Sequence, residues 1–179
     1  MSLDGVVDVD NDDALMAVAL DLAEAALKNG DFPVGCVIAD ENAVVAKGRR
    51  TGTADRTANE IDHAEINTLR WLYRHAPDMD RLRLTIYCTM EPCLMCFSAI
   101  MLSGIGRVVY AYEDVMGGGT GCDRSMLSPL YRDNPITVTA GVRREQSLAL
   151  FQRFFSEPGN AYWADSLLSR YTLDQPLSF

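Results

Sequence analysis

The sequence predicts an α/β fold, a three-layer α/β/α sandwich on a mixed central sheet of about five strands. Three observations predict it. Short apolar runs rich in β-formers alternate with longer stretches at helical spacing. Two of those runs, 34–39 and 43–46, flank the turn-like Asp40-Glu41-Asn42 and read as a hairpin. Further on, strand, helix and strand follow one another at 84–88, 93–102 and 108–112, which requires a crossover and therefore a parallel pair. With 179 residues and 48% hydrophobic content, the chain can bury the core of one domain.

Asp13 is the expected N-cap of the first helix, whose apolar positions Leu15, Val18, Leu22, Ala26 and Leu27 lead to a stop at Gly30. The polar stretch 49–61, with Gly52 and several threonines, reads as a loop. A second helix begins near Asp62 and stops at Ala76-Pro77, because a residue before proline avoids helical dihedrals. The third helix, 93–102, closes at Ser103-Gly104; a last strand is expected at 136–140 and a last helix at 144–155. Residues 14–155 thus form the domain, 1–13 read as an acidic, flexible leader, and 156–179 as an aromatic tail, a lid or a dimer contact.

The net charge of −9 is concentrated near the start, where residues 1–31 carry eight acidic side chains against Lys28 alone. No segment has the basic footprint that a polyanionic partner demands, which disfavours tRNA. No apolar run is long enough to span a membrane and no basic, apolar signal peptide opens the chain. Five cysteines, two of them in a C-x-x-C, fit a metal site in a reducing cytoplasm better than a disulfide framework.

Function is read from His63-Ala64-Glu65 and Pro92-Cys93-Leu94-Met95-Cys96. One imidazole and two thiolates are three zinc ligands, which leaves a tetrahedral ion one open position, the mark of a catalytic rather than a structural site. Glu65 is not needed as a ligand and can carry protons. His63 and Glu65 are expected in the first turn of one helix and Cys93 and Cys96 in that of another, with Pro92 suited to a helix start. Cys88, five residues before Cys93, could instead close a Cys₃His set. Cys36 reads as a small core residue, Cys122 as a loop residue and His75 as a surface histidine. Phe151, Phe154 and Phe155 read as core. The run Gly117-Gly118-Gly119-Thr120-Gly121 lacks a following Gly-Lys-Ser/Thr and reads as a flexible loop, not a phosphate cradle.

The pattern H-x-E … P-C-x-x-C is the signature of zinc nucleobase deaminases. Together with Phe32-Pro33-Val34-Gly35, Thr89-Met90-Glu91 and Ser103–Tyr110, it makes the chain resemble the cytidine/deoxycytidylate deaminase-like superfamily, nearest its tRNA adenosine deaminase and guanine deaminase-like branch. The resemblance spans about Ala14 to Phe155. It implies a cytidine deaminase-like fold, one Zn²⁺ per subunit on His63, Cys93 and Cys96, Glu65 as the catalytic acid/base, and a homodimer. It also implies substrate contacts at Val34, Ala64, Glu91, Pro92, Glu113 and Asp114.

Two departures bear on substrate. Members usually carry an asparagine after the second strand, where this chain has Gly48-Arg49-Arg50-Thr51; Arg50 either reads a carbonyl or phosphate or points to solvent, with solvent slightly preferred. The tRNA-editing branch ends in a basic helix, whereas this chain ends in Tyr162-Trp163, Leu167-Leu168 and Tyr171. The first expectation is therefore deamination of a free base or nucleoside, a purine-like ring being slightly preferred. Adenosine-to-inosine editing of tRNA stands second, and a non-catalytic zinc-binding subunit of a heteromeric deaminase third.

Overall fold

The computed structural model describes residues 9–54 and 59–176. In chain order it contains α1 (Val9–Lys28), β1 (Gly35–Asp40), β2 (Ala43–Arg49), α2 (Ala64–His75), β3 (Leu84–Met90), α3 (Leu94–Ser103), β4 (Arg107–Tyr112), α4 (Pro129–Arg132), β5 (Thr137–Ala140), α5 (Arg144–Phe155) and α6 (Leu167–Asp174). The five strands form one sheet in the order β2-β1-β3-β4-β5. β1 runs antiparallel to both β2 and β3, while β3–β4 and β4–β5 are parallel. The expected mixed sheet, hairpin and crossover are all present.

The two-residue period of the strands sorts the core into two layers. Val37, Ala39, Tyr87, Val109 and Ala111 face α1 and Leu150, against Leu15, Met16, Ala19, Leu20 and Ala23. Cys36, Ile38, Ile86, Cys88 and Val108 face the other way, toward Leu69 and Leu72 of α2 and Phe97, Ile100 and Met101 of α3. β1 and β3 lie inside the sheet with helices on both faces, so almost every residue in them is buried. Gly35 is required by this packing: a Cβ there would lie 2.0 Å from the Ala19 carbonyl oxygen of α1.

α1 begins at Val9, so Asp13 lies inside the helix rather than capping it. Tertiary pairing explains the difference. Asp12 is buried and accepts hydrogen bonds from Tyr87 Oη at 2.9 Å and from both Arg107 Nη atoms at 2.8 and 2.6 Å, and Asp13 pairs with Arg143. The first eight residues of the expected leader lie outside the described residues.

The tail contains α6, which the sequence pattern did not announce. Ser166 caps it by accepting from the Ser169 N–H. Leu168 enters the main core, a burial that contributes about 1.5–3 kcal/mol. Thr172 Oγ1 meets Tyr112 Oη at 3.0 Å, and Gln152 Nε2 donates to the Thr172 and Gln175 carbonyls. Among the described residues, no helix is long and apolar enough to cross a membrane.

Candidate active site

Two helix starts converge beyond the ends of β1 and β3. His63 is the N-cap of α2 and Cys93 the N-cap of α3, both with extended backbone, so each precedes its first helical turn rather than belonging to it. Cys96 and Glu65 follow inside the helices. Pro92 accordingly precedes the cap, and its carbonyl accepts from the Gly119 N–H at 2.9 Å.

The ligand atoms of His63, Cys93 and Cys96 lie within 4.8 Å of one another. A tetrahedral zinc, with Zn–S of about 2.3 Å and Zn–N of about 2.0–2.1 Å, separates its nitrogen and sulfur ligands by about 3.6 Å. His63 Nδ1 lies 3.6 Å from Cys93 Sγ and 3.4 Å from Cys96 Sγ. The donor set therefore fits zinc in both chemistry and spacing. Its electrostatics are also prepared: hydrogen bonds from Cys96 and then His63 outweigh burial and hold the Cys93 thiol down at about 4. Cys96, hydrogen-bonded to Cys93 and buried, is pushed up; a bound cation would stabilise both thiolates.

Cys88 is not the fourth member of this cluster among the described residues. It stands opposite Cys36 in the β1–β3 register, the two sulfurs 3.8 Å apart and fully buried, and burial pushes its thiol well up. The donor cluster therefore has three members among the described residues.

His63 and Cys93 line a cavity of about 270 Å³ whose wall also includes Val34, Arg50, Ala64, Glu65, Glu91 and Asp114. Glu65 is 3% exposed and burial pushes its carboxyl up. Val34 and Ala64 form apolar wall. Glu91 lines the cavity but mainly braces its neighbours: Oε2 accepts from the Asp114 N–H, and Oε1 from the Thr120 N–H and hydroxyl. Asp114 Oδ1 accepts from the Met116 and Gly117 N–H groups, and burial pushes this carboxyl up.

Pro92 and Glu113, expected to contact substrate, are not among the lining residues. Glu113 is paired with Arg144 at the start of α5 and accepts from Tyr171 Oη of α6 at 2.7 Å. It fastens the tail rather than facing the pocket.

The glycine run is docked, not loose. Cys93 and Gly118 form a β-bridge, and a Cβ on Gly119 would lie 2.7 Å from Leu94 Cα and N. Glycine is needed there because backbone meets backbone at the start of the cysteine helix.

Arg50 is the largest departure from expectation. It is 2% exposed, lines the cavity, and holds Glu60 Oε2 at 3.3 Å and Tyr162 Oη at 3.4 Å through Nη2. The tail supplies Tyr162, Trp163 and Leu168 to the same wall, with Trp163 at φ 53, an uncommon conformation for so bulky a residue. His75 stacks on Trp71 at the surface, and Phe151 and Phe154 are core residues packed on Phe32, as expected.

Comparison with known proteins decides the family. Residues 9–112 match the model of the cytidine and deoxycytidylate deaminase zinc-binding region. The chain belongs to this deaminase family. The deaminase is 33% identical over 153 residues to tRNA-specific adenosine deaminase 2 of Danio rerio, covering 79% of the chain and 69% of the relative. It is 32% identical over 149 residues to the tRNA-specific adenosine deaminase of Haemophilus influenzae, covering 82% and 84%. Among solved structures, one from a study of A-to-I editing by tRNA:A34 deaminases superposes with a TM-score of 0.64 at 29% identity, over 76% of this chain and 98% of that one. A guanine deaminase from Nitrosomonas europaea shares the fold, with a TM-score of 0.65 at 22% identity, over 79% and 83%. The deaminase is a hydrolytic enzyme of the zinc type, with His63, Cys93 and Cys96 placed to bind the metal.

Proposed function

We propose that the chain deaminates an amino-bearing base hydrolytically, with Glu65 carrying the protons. One observation carries this: a buried carboxylate, not needed as a ligand, lines the same small cavity as His63 and Cys93. Zinc, held by His63, Cys93 and Cys96, would make water acidic near neutral pH. Glu65 takes a proton from the attacking water and gives it to a ring nitrogen as the water oxygen bonds to the amino-bearing carbon; it then moves the added hydroxyl's proton to the amino nitrogen as the C–N bond breaks. The amino-bearing carbon becomes a carbonyl carbon and ammonia leaves, with water consumed one for one. The apolar walls around Glu65 raise its pKa toward the working range of a general acid/base. A carboxylate so placed also argues against a non-catalytic zinc subunit.

Adenosine in tRNA is the substrate that the relatives support, since both curated relatives are named for that activity. This reverses the order in which the sequence alone ranks the two substrates. A free base or nucleoside is favoured by a different observation, the Tyr162–Trp163 wall that the tail builds over a cavity of about 270 Å³. Leu94 and Leu102, apolar and exposed on α3, support the expected homodimer.

The test is ammonia release from a tRNA anticodon stem–loop and from a panel of free bases and nucleosides, at two salt concentrations. Glu65→Ala should keep its zinc and lose roughly 10²–10⁴-fold in turnover. Full activity in that variant would remove Glu65 from the mechanism.

A further inference from the structure

Arginine is among the residues that proteins bury least, and only when paired. Arg50 is buried almost completely, yet among the described residues only Nη2 has partners, both long. Among the described residues, Nε and Nη1 are buried with no hydrogen-bond partner. The side chain lines the cavity that holds Glu65, and the one carboxylate it pairs with among the described residues, Glu60, is half exposed at the rim. A cation held this way is costly to the fold and contributes little to it. Unsatisfied buried donors call for an explanation, and the place of these in the cavity wall points to binding.

We propose that Arg50 is a specificity-determining residue that donates to an oxygen of the substrate, an inference that rests on the deaminase reading but on neither substrate choice. A guanidinium has donors and no acceptor, so its partner on the substrate has to be an acceptor. The oxygen has two possible sources, a ring carbonyl of an amino-oxo base or a sugar–phosphate oxygen of a nucleotide. Entry of that oxygen gives the guanidinium the partner that the protein withholds. Substrates without it leave a buried cation unpaired and are rejected, as sites built to hydrogen-bond reject analogues that cannot.

The experiment compares wild type with Arg50→Met and Arg50→Lys, each loaded with zinc. Metal content, thermal midpoint and kcat/KM are measured on guanine, cytosine, adenine, adenosine, adenosine 5′-monophosphate and the tRNA stem–loop. Equilibrium binding of the same panel is measured in a Glu65→Ala background. Arg50→Met should keep full zinc and an equal or higher midpoint, because an apolar side chain replaces an unsatisfied charge. It should lose roughly ten- to hundredfold in affinity for the preferred substrate. Arg50→Lys should recover part of that loss. A loss confined to guanine and cytosine identifies a ring carbonyl; one confined to the sugar- and phosphate-bearing substrates identifies the backbone oxygen. A uniform loss, no loss, or a lowered midpoint with unchanged affinity overturns the proposal. Full turnover in Glu65→Ala would instead overturn the catalytic reading while leaving the Arg50 binding result standing. A wild type that binds no panel member overturns both.

Discussion

Gly119→Ala tests whether the glycine strap positions the metal site. The added Cβ would lie 2.7 Å from Leu94 Cα and N and 2.9 Å from the Cys93 carbonyl carbon, all backbone atoms that no side-chain rotation can move aside. Either the strap lifts, breaking the 2.9 Å hydrogen bond from Gly119 N–H to the Pro92 carbonyl, or the start of α3 shifts and takes Cys93 with it. Overpacking of this kind costs about 1–3 kcal/mol. In a chain of this size that lowers the thermal midpoint by roughly 2–4 °C per kcal/mol. If α3 yields, zinc affinity falls as well, because a displaced Cys93 leaves the tetrahedral spacing. Gly121→Ala is the control, since a Cβ there meets nothing within 4 Å. Both variants would be followed by urea unfolding and by zinc competition against a chromogenic chelator. Gly119→Ala is expected to lose stability and to release zinc more readily, Gly121→Ala neither. Identical behaviour of the two variants would refute the reasoning.

Two further expectations follow from partners the sequence did not reveal. Cys88→Ala should retain one zinc per chain by elemental analysis, whereas Cys93→Ala should lose it, since Cys88 Sγ is turned to Cys36; equal losses would restore a four-residue metal set. Burial works against ionisation of Glu113, but hydrogen bonds from Arg144 and Tyr171 outweigh it and hold the carboxyl below the ordinary glutamate range. A depressed folded pKa contributes stability above the unfolded value, about 4.3, and that stability is lost as pH falls through the lower folded value. Glu113→Gln should therefore flatten the acid side of the stability curve, read by urea unfolding between pH 3 and 6. An unchanged slope would show that the tail is fastened by packing alone.

Much of the architecture could be read directly. The crossover through α3 announced itself by spacing, and the zinc donors by residue type, because thiolates and an imidazole flanking helix starts have few other uses. What escaped notice depended on contacts distant in sequence. Arg50 reads as a surface residue because arginine usually is one, and nothing local shows that Tyr162, more than a hundred positions later, closes over it. Glu113 resembles a pocket acid until Arg144 is seen beside it. The glycine run looks pliable because local composition reports conformational freedom and not the backbone it touches. α6 has too few apolar positions to show a periodicity, and its hold on the core comes from Leu168 and Thr172 meeting partners elsewhere.

The buried carboxylate of Asp12 sets a condition on biosynthesis. Its partners, Tyr87 and Arg107, lie 75 and 95 residues further along the chain. During synthesis α1 emerges from the ribosome long before either exists; its apolar face finds β1 a few residues later, but the acid has no partner yet. That carboxylate has to stay solvated until β3 and β4 are made. Its burial is then a late closure of a long loop, slow by topology rather than by any weakness of the contact.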